Sequence, residues 1–218
     1  MDSVWRKKGF LVIITAFVMV LGVAGCFERK SAHEELMSYF PDKTGSTWVY
    51  SGFAEYGHRM VLDSITEVRS KGDVVYQISG MVEDMSGGES EADFSFQIQY
   101  IFGDDQAVER ILHKGIVFPH RIDGLVMLKA PVKKGQKWSF RAEDGSQVDA
   151  VITEAGVDDE DNLAYCEVEY TTPDHSMPDG LYRETRTFKK GIGVTSFVST
   201  IMPEVEFSYS LMSFSSPE

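Results

Sequence analysis

Two cysteines in 218 residues are too few for a disulfide framework, and no C-x-x-C pair is present to seat a structural zinc. Cations are scarce as well: 21 Lys and Arg stand against 34 Asp and Glu, a formal charge of −13, and no basic stripe offsets it. That balance excludes a phosphate-backbone partner such as nucleic acid. G-x-S-x-G, G-x-x-x-x-G-K-[ST] and G-x-G-x-x-G are all missing, so neither a hydrolase elbow nor a nucleotide cradle is indicated. What remains is 43% apolar, 25% charged and 12% aromatic, the composition of one globular domain with enough chain to bury a core.

The first segment differs from the rest. Arg6, Lys7 and Lys8 precede an uncharged run from Gly9 to Gly25, and charge returns abruptly at Glu28, Arg29 and Lys30. A cationic n-region followed by an apolar h-region is the pattern of an export signal. The run has 17 residues, short of the roughly 20 that a spanning helix needs. A plain secretory signal in which Cys26 is incidental, and an uncleaved anchor helix, stay open as alternatives.

The ending Leu21-Gly22-Val23-Ala24-Gly25-Cys26 resembles the lipobox of bacterial lipoproteins. That resemblance implies that signal peptidase reads Val23, Ala24 and Gly25, and that Cys26 carries the lipid at the mature N-terminus. Two acyl chains anchor stably, because each buried methylene contributes about 0.8 kcal/mol. Cleavage removes Asp2 and three cations, which takes the formal charge from −13 to −15. Such a body is repelled by anionic head groups beyond its anchor. Residues 26–38 are expected to be a polar tether holding a short helical turn, since Ser31-Ala32-His33-Glu34 is a capping box. On that reading the body swings. Residues 39–218 form the single folded domain.

From Thr47 onward the period is two. In the run 91–102, Ala92, Phe94, Phe96, Ile98, Tyr100 and Phe102 share one side, and acids, serine and glutamines take the other. Comparable runs are read at 47–53, 60–68, 74–82, 108–112, 125–129, 137–142, 148–153, 163–170, 182–188, 194–201 and 205–214, with Gly- and Asp-rich turns between them. No helical crossover of the length a parallel sheet requires is visible. The fold class is therefore all-β and mainly antiparallel, a long curved meander closing as a half-barrel, barrel or sandwich.

Two related halves are suggested by an echo 90 residues apart. Pro41-Asp-Lys-Thr-Gly-Ser-Thr-Trp-Val-Tyr50 and Pro131-Val-Lys-Lys-Gly-Gln-Lys-Trp-Ser-Phe140 share P-x-K-x-G-x-x-W-x-aromatic, and a repeated strand entry explains it better than a repeated binding site. The stretch from Tyr39 to Tyr50, Y-F-P-x-K-x-G-x-x-W-x-Y, is similar to the opening of an uncharacterised group of bacterial lipoproteins. The segment 128–138, the strand at Cys166 and Lys190-Gly-Ile-Gly-Val194 add to the likeness. The acidic loop 156–162 departs from it. The resemblance implies an extracytoplasmic β-domain, lipid-anchored to a bacterial membrane, and brings no catalytic residue with it.

Candidate chemical groups are few. Cys166 alternates with Ala164, Val168 and Tyr170 and reads as core. His33, His58, His113, His120 and His175 lack metal-ligand spacing and read as surface loop residues, the reading preferred also for His113 and His120, which only a hairpin at 115–119 would bring near each other. Asp158-Asp-Glu-Asp161 offers hard oxygens without the alternation that wraps calcium. No metal and no cofactor is implied. The expected role is a non-enzymatic envelope domain that binds a protein partner or an apolar ligand. An anchored hydrolase working through acidic residues and a structural or assembly subunit are the alternatives. A packed core is expected over an open concave aromatic face.

Overall fold

The computed structural model describes residues 32–52, 56–68, 72–84, 92–115, 120–202 and 205–218. Twelve strands follow a short helix, α1, over 32–37. In chain order they are β1 Thr47–Ser51, β2 Tyr56–Val68, β3 Asp73–Asp84, β4 Ser95–Phe102, β5 Gln106–Lys114, β6 Leu125–Lys129, β7 Lys137–Arg141, β8 Gln147–Val157, β9 Ala164–Pro173, β10 Leu181–Lys189, β11 Gly193–Met202 and β12 Val205–Ser215. Each of the twelve alternating runs read from the sequence becomes one of these strands.

All twelve join one antiparallel sheet in the order β6-β5-β4-β3-β2-β1-β12-β11-β10-β9-β8-β7. Two six-stranded meanders therefore meet where β1 pairs with β12, and the sheet curls until its two edges, β6 and β7, face each other. Closing a long sheet in this way removes most of its exposed edge. Among the described residues no ladder crosses the seam. Instead Trp138 Nε1 donates to the Val126 carbonyl at 3.1 Å, and the Tyr170 hydroxyl donates to the Met127 carbonyl. β6 is buried at Leu125, Val126, Met127 and Leu128, because Met127 is an extra residue between the paired Val126 and Leu128 and breaks the two-sided alternation.

The echo is structural. Gly45 N–H donates to Leu62 O at 2.7 Å and Leu62 N–H returns to Ser46 O at 2.9 Å; Gly135 and Ile152 repeat this with Gln136 at 2.8 and 2.9 Å. Gly45 and Gly135 hold φ of +88° and +83°, which side chains with a Cβ resist. A bulge follows Leu62 in β2 and Ile152 in β8. The two indoles then diverge, with Trp48 Nε1 donating to Ile192 O at 2.6 Å while Trp138 serves the seam. Turn and strand entry are duplicated; the destinations of the side chains are not.

The loops after β2, β4, β6, β8 and β10 lie at the end where the chain enters, the entry end. Those after β1, β3, β5, β7, β9 and β11 lie at the far end. The segment 32–40 stops the entry end. Leu36, Tyr39 and Phe40 are buried, and the Phe40 ring meets Tyr100, Phe102 and Phe188 edge-on. His33 Nδ1 lies 2.8 Å from Gly103 O, the Val132 amide donates to Glu35 Oε1, and the Gly191 amide donates to Ser38 O. The expected helical turn is there, but residues 32–38, read as part of the tether, are packed against three loops of the barrel.

Candidate functional site

Strand β10 alternates Leu181, Arg183, Thr185 and Thr187 with Tyr182, Glu184, Arg186 and Phe188, and the second set faces inward. Two charged side chains thus enter an otherwise apolar and aromatic interior. Glu109 joins them from β5 on the same face as Ala107, and Tyr209 from β12; all are buried. His120 closes the group from the far-end loop between β5 and β6.

These groups form one chain of contacts. The Tyr182 hydroxyl donates to Glu184 Oε2 at 2.9 Å, Arg186 Nε donates to Glu184 Oε1 at 2.9 Å, and Arg186 Nη1 donates to Glu109 Oε2 at 3.1 Å. His120 Nδ1 lies 2.9 Å from Glu109 Oε1 and its Nε2 lies 2.7 Å from the Tyr209 hydroxyl. Burying ions is expensive unless each is paired, and here every carboxylate faces a cation or a hydroxyl donor. Burial raises the Glu109 carboxyl, yet the charges of Arg186 and His120 outweigh it and hold it down at about 2. A carboxyl so held has no proton to donate at neutral pH. Arg186 Nη2 makes a 2.9 Å ion contact with Glu184 but no aligned hydrogen bond, and among the described residues the buried Tyr76 hydroxyl lacks a hydrogen-bond partner as well.

Aromatic rings wall the network. His120, Phe197 and Tyr209 stack, with Phe197 and Tyr209 at 4.9 Å and 2°. His58 lies on Tyr50 at 4.4 Å and meets Tyr209 edge-on. Burial, helped by the proximity of His120, pushes His58 down to about 3, so its ring is neutral at physiological pH. The arrangement is a polar spine among buried apolar and aromatic side chains.

At the far end the spine approaches the surface. A pocket of about 130 Å³ is lined by Arg121, Ile122, Asp144, Ser146, Thr172, Pro173, Asp174 and Tyr182. The guanidinium of Arg121 lies 4.7 Å over the Tyr182 ring and reaches Asp174 at 3.3 Å, so it covers the outer member of the buried chain. Such a pocket, polar above and aromatic below, suits a small polar group on a partner or ligand. A second hollow of about 280 Å³ lies along β7, β8 and β9.

Val23, Ala24, Gly25 and Cys26 lie outside the described residues. Cys166 is buried and free, and burial pushes its thiol up to about 12. Two histidines depart from the sequence reading, His58 and His120, which are interior; His113 stays on the outer surface, 2.8 Å from Asp93. Asp158 and Asp161 grip Lys189 at 2.7 and 2.8 Å, which gives the acidic loop a cation of its own. No metal-sized group of His, Cys, Asp or Glu occurs among the described residues. The buried Glu109, Glu184 and Arg186 escaped the sequence reading, though strand parity carried the signal: Glu184 and Arg186 alternate in step with Tyr182 and Phe188.

Together, fold and site define a twelve-stranded all-β barrel, stopped at one end by an aromatic segment and threaded by a buried ionic chain. No family profile and no curated protein matches the chain. Two solved structures are similar to the chain. A candidate lipoprotein from Parabacteroides distasonis ATCC 8503 is 10% identical, with 81% of this chain and 98% of that one covered at a TM-score of 0.44. A candidate exported protein with a YmcC-like fold from Bacteroides fragilis NCTC 9343 is 9% identical, with the same coverage and a TM-score of 0.47. At that distance no residue role passes from either to this chain.

Proposed function

We propose that the chain is a bacterial envelope lipoprotein, anchored outside the cytoplasm through a lipid on Cys26, whose barrel is a non-enzymatic binding domain. The observation that carries the reading is the small-residue sequence Val23-Ala24-Gly25-Cys26 at the point where an uncharged run gives way to charge. The packed interior supports recognition at the surface rather than engulfment of a ligand, and the pocket beside Arg121 is the built feature at the far end.

Metabolic labelling with a fatty acid tests the anchor: Cys26→Ala abolishes incorporation, and labelling that persists in this variant contradicts the reading. A lipid-free version starting after Cys26 tests the rest, by native mass spectrometry for a co-purifying ligand and by turnover on envelope polymers. Reproducible turnover lost on substitution of one Asp or Glu, with the fold intact, makes the protein an anchored hydrolase instead. Neither ligand nor turnover, with a stable neighbour cross-linked in cells, makes it an assembly subunit.

A further inference from the structure

The length of chain between lipid and barrel sets how the barrel stands on the membrane. If the tether ran to residue 38 it would span up to about 40 Å and leave orientation free. The packing of 32–40 into the entry end removes that freedom: Leu36, Tyr39 and Phe40 are buried, and the backbones of Ser38 and Gly103 are bonded to the Gly191 amide and the His33 ring. From Cys26 to Ala32 there are then six residue steps, which reach at most about 20 Å when fully extended. Strands of ten residues, such as β9, run about 33 Å, and barrel tilt still leaves about 25 Å between the two ends.

We infer that the lipid-anchored protein holds its entry end to the bilayer and turns its far end, with the pocket beside Arg121, outward. The inference rests on the lipoprotein reading and adds a membrane-facing surface and an outward-facing one. Electrostatic attraction is not what sets the orientation. Among the described residues, Lys43, Lys133, Lys134, Lys189 and Lys190 share the entry end with Glu34, Glu35, Asp42, Asp104, Asp105 and the acidic loop 158–161, a mixed surface with more acid than base. The short arm does the orienting, so the same end faces the bilayer on neutral and on anionic vesicles.

The test uses the lipidated mature protein in phosphatidylcholine vesicles that contain a head-group-quencher lipid. A fluorophore is placed at Lys133→Cys on the entry end or at His175→Cys on the far end; both positions are exposed, and the native Cys166 is buried. Stronger quenching at 133 than at 175, in the same order when phosphatidylglycerol is added, is the expected result. Lengthening the arm with Gly-Ser repeats between Cys26 and Ala32 should narrow the difference. Equal quenching at the two sites in protein that floats with vesicles overturns the orientation and leaves the anchor standing. Protein that carries no lipid and does not float refutes the anchor reading, and the inference falls with it.

Discussion

Arg186→Met removes the cation that neutralises the interior. Arg186, Glu109 and Glu184 are all buried, and the guanidinium holds Glu109 at 3.1 Å and Glu184 at 2.9 Å. Methionine fills similar space and leaves two carboxylates in a low-dielectric interior. Breaking a buried pair in this way costs roughly 3–5 kcal/mol at neutral pH. The pH dependence is more diagnostic than the size. In the native protein Glu109 is depressed from 4.5 to about 2, so its contribution is complete above the unfolded value and is lost as pH falls through the folded one. At 1.36 kcal/mol per unit that contribution is about 3 kcal/mol. In the variant, burial without the cation raises the carboxyls, so the sign reverses and stability is regained on acidification from pH 7 towards pH 5. Urea unfolding followed by Trp48 and Trp138 fluorescence at both pH values reads this directly. Adding Glu109→Leu and Glu184→Leu to the variant should recover most of the loss, since apolar replacement of a whole buried ion group is often neutral. A loss below about 1 kcal/mol at pH 7, or an equal loss at the two pH values, would refute the reasoning.

Other substitutions probe other parts of the fold. Phe40→Ala empties the centre of the entry-end stopper and should cost about 3–5 kcal/mol in a denaturant titration; an unchanged midpoint would show that 32–40 is not packed there. Gly80→Ala places a Cβ 2.2 Å from the Phe96 ring and 2.7 Å from a backbone oxygen, whereas Gly135→Ala meets nothing within 4 Å and bears only its positive φ. The first should therefore lower the melting temperature well beyond the second, for which about 1–2 kcal/mol is expected. Tyr76→Phe deletes a buried hydroxyl without a hydrogen-bond partner and should leave stability unchanged or raised; a clear drop would reveal a partner. The Cys166 thiol, pushed up to about 12 by burial, should resist a maleimide in the native protein and react once urea unfolds it.

The strand pattern was legible because one buried face writes itself as alternation. Phe96, Ile98, Tyr100 and Phe102 are all buried, in step with the sequence reading. Closure was not legible, since whether β1 finds β12 depends on twist summed over the whole sheet, and no local spacing records it. Bulges were hidden for a related reason: Asp63 and Thr153 are single extra residues whose effect appears only against a partner strand. Alternation places Glu184 and Arg186 inside, but their charge argues outward. That conflict is settled by Glu109, 77 positions from Arg186, and by a His120 whose partners lie on β5 and β12. The capping box foretold the turn of helix at 32–37, while the docking of Tyr39 and Phe40 required knowing which end of the barrel lay open to them.

The intact mass of the protein extracted from membranes by detergent tests the central claim most directly. A chain that begins at residue 26 with a diacylglyceryl group on its first sulfur is the expected species. A mass that retains the first 25 residues, or the mature chain without lipid recovered from the cytosol, would contradict it.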